Sequence, residues 1–509
     1  MRTFLGLDLG TSATKAVVLA EDGTTIARAR EPHPTSRRGR SGRADPSAWE
    51  QSILSVCHQL GSALATISGV GIDTHCPTVV PLDAHRRPVA LAVTWDNPAL
   101  GSVFGRYSEL RSIEDVRRTG NRPSPSTFAV VAYHHLREAE PEAFARMTTL
   151  GFAGTWLGGV LTGEIAIDPT QASYSGIFDT LAATPAWLDG ALADLAIDRA
   201  VLPPILRPLD VLGSSETEFA RLAGIPHGVP VIVGCADTPA ASFALGTAPN
   251  AAPFLIMGTT HVVSSCFTAP DLRSAALQRH GVRPGEWLIN GVTNGGDSLA
   301  AAASVLGFGS AESGVKELIH SAASIAPDDA AEAPFFIPHL MPERGPLWLD
   351  VARSALVGLT ASTTRQQLAW AIVEGVVLAD RIVLESIVPP GDAPIYLTGP
   401  FGADALLPQV VADVTARTYD VVLEPDLPAM GAAAMCAASL HAPSTCRLAT
   451  RRVAPRPVGA ALAGKRWERF RGEWSRVTGA DRFAAPTATR PSSTPADWGS
   501  TDSMGVVAV

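Results

Sequence analysis

One short phrase occurs twice in the chain. An apolar run ends in Gly-Thr and a second apolar run follows it at once. Phe4-Leu5-Gly6-Leu7-Asp8-Leu9-Gly10-Thr11 leads into Ala13-Thr14-Lys15-Ala16-Val17-Val18, and Phe254-Leu255-Ile256-Met257-Gly258-Thr259 leads into His261-Val262-Val263. Apolar runs of this length punctuated by Gly and Thr read as buried strands joined by a tight turn. Each phrase therefore predicts a β-hairpin. A hairpin that returns halfway along 509 residues predicts two related α/β halves, since such a length exceeds one ordinary core. The expected boundaries are 1–246 and 252–478, joined through Gly-Thr-Ala-Pro-Asn-Ala-Ala at 246–252.

The intervening segments supply the rest of an α/β pattern. Asp45 and Pro46 open a helix as N-cap and first-turn residue. Residues 69–83 and 229–236 read as strands, and 124–147 reads as amphipathic helix. In the second half 366–388 and 465–477 are expected helices, and the Pro/Ser/Thr-rich 480–509 a disordered tail. Only 17% of residues are charged and the formal net charge is −9, which argues against a nucleic-acid partner. The basic run Arg37, Arg38, Arg40 and Arg43 reads as a solvated loop. Without a secretory leader pattern or a bilayer-length apolar run, no membrane partner is expected, and the expected location is the cytoplasm. Six scattered cysteines without CxxC spacing fit free thiols in a reducing compartment.

Several residues could carry chemistry, and each has a plainer structural use. Asp8 at a strand end could hold Mg²⁺, with Gly10, Thr11, Ser12 and Lys15 as phosphate-facing groups; the same residues make an ordinary hairpin turn. Asp237 follows one expected strand and precedes a helix, so it is either a helix cap or a general base. Gly258-Thr259, Asn294-Gly295-Gly296 and Thr398-Gly399-Pro400-Phe401-Gly402-Ala403-Asp404 are turns that permit close approach to a nucleotide. His75 could contact a sugar or sit satisfied in the core, and Trp95-Asp96 could bind a polyol or be buried.

Taken in order, these segments resemble the FGGY carbohydrate kinases from about Thr3 to Val477. FLGLDLGTSATKAVV resembles the first phosphate motif, and the stretch ending VPVIVGCADTPAASFALG is the most specific part. Glu343-Arg344, Asp350-Val351-Ala352-Arg353, YLTGPFGADALLPQVVADVT and LPAMGAAAMCAA are similar to later family segments. The resemblance implies two actin-like (ribonuclease-H-like) α/β domains with a cleft between them, ATP and Mg²⁺ as cofactors, and a small sugar or polyol as substrate. It implies Asp237 as base, Asp8 as metal organiser, and Thr11, Ser12, Lys15, Thr259, Gly296, Gly399, Gly402 and Asp404 around the nucleotide. His75, Trp95, Asp96 and Asp237 are the expected substrate residues. A homodimer is left open. The sugar side departs from the xylulokinase-like pattern: His75-Cys76-Pro77-Thr78 stands where Gln-Met-His-Gly is usual, and Trp95-Asp96-Asn97-Pro98 lacks the usual arginine. The phrase Asp73-Thr74 runs closer to ribulokinase-like members. These departures also leave open a non-catalytic ATP sensor of the same fold.

Overall fold

The computed structural model describes residues 1–33, 42–110, 112–249, 251–271, 274–309, 313–400, 404 and 406–480. Arg37, Arg38, Arg40, Gly402 and nearly all of the expected tail lie outside the described residues.

Both predicted hairpins form, and each founds a mixed sheet. In the first, β1 (Thr3–Leu9), β2 (Ala13–Ala20) and β3 (Thr25–Pro32) are antiparallel, and β4 (Ile67–Thr74) and β5 (Pro230–Ile232) continue parallel to β1. The order is β3-β2-β1-β4-β5. In the second, β6 (Phe254–Met257), β7 (His261–Phe267) and β8 (Trp287–Thr293) are antiparallel, and β9 (Ile395–Thr398) and β10 (Tyr419–Val422) are parallel to β6. The order β8-β7-β6-β9-β10 repeats the first. Parallel neighbours need crossover helices. These are α1 (Pro46–Leu60), capped by the Asp45 side chain on Ser47 N–H, and α4 (Arg365–Ile387), opened by a Thr364/Gln367 capping box. The chain thus folds as two α/β domains with mixed sheets.

Three expected elements are interrupted. Residues 229–236 form β5 and a separate short strand Cys235–Ala236, because Gly234 turns at φ +76°, where an added Cβ would lie 2.0 Å from Ile72 O. Residues 69–83 divide at His75–Pro77 into β4 and a strand Thr78–Leu82 that joins a different, four-stranded sheet. The helix expected over 124–147 is two helices, Val131–Ala139 and Pro141–Arg146, because Pro141 lacks the N–H that would continue the first.

The domains are joined through backbone contact. Helix α2 (Asp237–Ala244) crosses helix α5 (Leu427–Ser439), an Ala-rich segment that also lies on the first sheet. An added Cβ would fall 1.8 Å from Ala429 O at Gly6, 1.9 Å from Ala432 O at Gly71, and 1.9 Å from Ala240 O at Gly431. No side chain fits at these positions. Helix α6 (Pro457–Thr478) closes the second domain by burying Trp467, Phe470 and Trp474. Its Arg466 forms a fully buried 2.6 Å ion pair with Glu374 and donates to the Ala331, Ala333 and Pro334 carbonyls.

Two stability predictions follow from this packing. Gly431→Ala should cost about 3 kcal/mol, because the new methyl meets backbone that cannot yield. Gly472→Ala, on exposed helix with nothing near an added Cβ, should instead stabilise by about 0.5–1 kcal/mol. Urea titration of both variants measures the contrast. Arg466→Met should cost about 3–5 kcal/mol by leaving Glu374 buried without its partner, and adding Glu374→Leu should recover most of the loss. Thermal denaturation of the single and double variants checks this.

Candidate active site

Strand register gathers three carboxylates. Asp8 pairs across to Lys15 on one side and to Asp73 on the other, while Asp73 pairs with Cys235, two residues before Asp237. Parallel neighbours in register present side chains to the same face. Asp8 is buried, and its Oδ2 accepts from Lys15 Nζ at 2.7 Å. The Asp8 carboxylate holds Lys15 above the usual lysine range, against the opposing effect of burial. Asp73 is fully buried and neither of its oxygens has a hydrogen-bond partner among the described residues. Burial, with Asp8 and Asp237 close by, pushes it well above the usual carboxylate range.

Asp237 is the first residue of α2, and the cap position belongs to Ala236. Its Oδ1 accepts from Thr238 N–H at 2.6 Å. Burial raises its pKa, while the Arg279 guanidinium opposes the rise. A buried network fixes this corner: Asp168 accepts from Thr170 and Gln171, and Thr170 Oγ1 accepts from Ala236 N–H at 2.9 Å. The backbone immediately before Asp237 is thereby tied to a loop of the same domain.

The other sequence-derived residues divide. Thr11 and Ser12 form the exposed tip of the first hairpin, and Gly10 N–H donates to Ala13 O to close it. His75 is buried with Nδ1 2.8 Å from Leu9 O and its ring edge on Trp49, and burial lowers its pKa. It therefore braces the end of β1, with Asp237, Asp8 and Asp96 all near enough to act on it. Asp96 accepts from Thr94 Oγ1 at 2.6 Å, and Trp95 stacks beneath Arg344 of the second domain, 4.6 Å from its ring centre.

On the second domain, the Gly258–Thr260 turn packs on the start of α3 (Gly295–Val305). Asp297 N–H donates to Thr259 O at 2.9 Å, and an added Cβ at Gly296 would lie 2.0 Å from Gly258 O. Gly399 adopts φ +109° directly against Met257 at the end of β6. These turns bring main chain close at the adjacent ends of β6 and β9, with the Thr259 side chain exposed beside it. Asp404 has a local use: its Oδ1 accepts from Leu406 and Leu407 N–H at 2.7 and 3.1 Å. Asn294 is held by Glu343, which is itself bonded to His339 and so linked to Trp474 on α6.

No cluster of three or more ligating side chains exists among the described residues. That suits Mg²⁺, which ordinarily takes one or two carboxylates and completes its shell with water and phosphate. Asp8 Oδ1 is buried without a partner among the described residues and is the atom available for such a role. Sequence reasoning missed Asp73, although its place at the end of a strand in step with Asp8 marked it. It also missed Arg279, which no local pattern distinguishes.

The chain matches the N-terminal domain of the FGGY family of carbohydrate kinases over residues 3–244 and the C-terminal domain over residues 254–440. It is 29% identical to the xylulose kinase of Streptomyces coelicolor, covering 96% of this chain and 97% of that one. It is 22% identical to the gluconokinase of Bacillus subtilis, covering 81% and 82%. The fold superposes on ligand-bound xylulose kinase from Lactobacillus acidophilus with a TM-score of 0.82 at 19% identity, covering 94% of this chain and 99% of that one. Both domain matches lie in one chain, in order, each beginning within a residue of a founding hairpin, and on this evidence the chain belongs to the FGGY family of carbohydrate kinases.

Proposed function

We propose that this protein transfers the γ-phosphoryl group of Mg-ATP to a hydroxyl of a small sugar or polyol, with a pentulose as the first candidate and Asp237 as general base. The observation that carries the reading is the placement of Asp237: a strand-end carboxylate without an ion-pair partner among the described residues, in the same strand-end cluster as the Asp8–Lys15 pair. The matching strand orders of the two domains support an actin-like architecture, with nucleotide against the second domain and acceptor against the first.

In this reading each group has a distinct task. Mg²⁺, when bound near Asp8, offsets phosphate charge. Lys15 neutralises Asp8 at rest and faces the transferring group, while the main-chain N–H groups of Thr11, Ser12 and Thr259 at the tips of the two hairpin turns donate to phosphate oxygens. Asp237 accepts the proton of the attacking hydroxyl. Burial disfavours charge on Asp73, which lessens the negative charge facing the phosphates.

Asp237→Asn should lower kcat by about 10²–10⁴-fold with ATP binding retained, since general-base assistance is of that order. ADP release across pentuloses, hexuloses, polyols and aldonates, with nucleotide binding measured in parallel, tests it. Undiminished turnover would remove the assignment. ATP binding without turnover of any acceptor by the unaltered protein would favour an ATP sensor. The base must be ionised and burial raises its pKa, so kcat/KM should fall as pH drops through a value above the usual aspartate range. That acid limb should be missing from the residual activity of Asp237→Asn.

A further inference from the structure

Arg279 belongs to the second domain but is buried against the first. It lies on an edge strand, Leu277–His280, and is only 5% exposed. The residues on either side of it are tied down. Asn121 of the first domain accepts from Gln278 N–H at 2.8 Å and donates to Gln278 O at 2.9 Å. His280 N–H donates to Ser173 Oγ at 3.2 Å. The guanidinium sits 3.8 Å from the ring centre of Tyr174, and its Nε and Nη1 have no hydrogen-bond partner among the described residues.

A buried guanidinium with free N–H groups and no carboxylate at ion-pair distance is costly unless a ligand completes it. Its charge acts on Asp237 and on Cys76. Arg279 therefore stands with Tyr174 and Cys76 of the first domain, close enough to Asp237 to act on the base and so beside an acceptor held there. We propose that Arg279 binds a carboxylate of the acceptor, so that this enzyme's substrate is a sugar acid. A carboxylate offers two oxygens to the planar fork of arginine, which a hydroxyl cannot match. The separation from Asp237 also leaves the base free to take a proton. The inference rests on the kinase reading above and narrows its substrate class from neutral pentuloses to acids.

The test compares aldonates (gluconate, xylonate, arabinonate) with the ketoses and polyols of the same chain lengths, using the full-length protein. The unaltered enzyme should favour its best acid over the matched neutral acceptor by about 100-fold in kcat/KM or more. Arg279→Gln should remove that preference, chiefly through KM for the acid, and because the guanidinium also holds down the pKa of Asp237, acids and neutral acceptors are compared at a pH above the acid limb. Arg279→Lys, which keeps the charge without the fork, should retain part of the preference and guards against a Gln variant that fails to fold. Preference of the unaltered enzyme for a neutral acceptor would overturn the acid assignment and leave the kinase reading standing. An equal fall in kcat on every acceptor would move Arg279 to the transferring phosphoryl group and also overturn it. If nothing is turned over, thermal shifts with the same aldonates decide. Stabilisation that Arg279→Gln abolishes keeps the acid site and removes the kinase reading, and absence of any stabilisation overturns the proposal.

Discussion

The molecule depends on a helix that lies against bare backbone. Helix α5 runs over β1 and β4 at Gly6 and Gly71 and crosses α2 at Gly431, each time so closely that a single methyl group would overlap a carbonyl oxygen. Two residues beyond Gly6 is Asp8, two beyond Gly71 is Asp73, and α2 begins with Asp237. The contact that joins the two domains thus also sets the depth of all three carboxylates. Small residues give such contacts their rigidity, because packed backbone has no rotamers with which to adjust.

Around that contact, electrostatics separates groups of identical chemistry. Asp8 keeps a lysine. Asp73, one strand away, has no hydrogen-bond partner among the described residues and is pushed well above the usual carboxylate range by burial. Asp237 is raised by burial and moderated by Arg279. Environment alone sets three aspartates of identical chemistry apart.

Much of this was legible along the chain. The hairpins, the Asp45 cap, helix α4 and the strand-end positions of Asp8 and Asp237 are local patterns, set by periodicity and turn chemistry. Where the reading erred, a long-range contact intervened: Gly234 broke a continuous apolar run because Ile72 of a neighbouring strand needed its space. Asp404, expected beside the nucleotide, also makes helix-start hydrogen bonds, a use shared by many aspartates before helices. Asp73 was visible in its strand, but its protonation depends on Asp8 and Asp237, which reach it only through sheet register.

By itself, then, the sequence determined the duplicated hairpins, the alternation of strands and helices and the positions of most polar groups at strand ends, since each follows from interactions between near neighbours. Tertiary structure decided which carboxylate keeps a lysine, which glycine is indispensable and which arginine is buried between the domains. Arg279 lies far along the chain from Cys76 and Tyr174, and only the docking of one domain's edge strand on the other's loops brings a guanidinium to them. Charge state and burial are properties of surroundings, and those surroundings are assembled from segments that no local pattern connects.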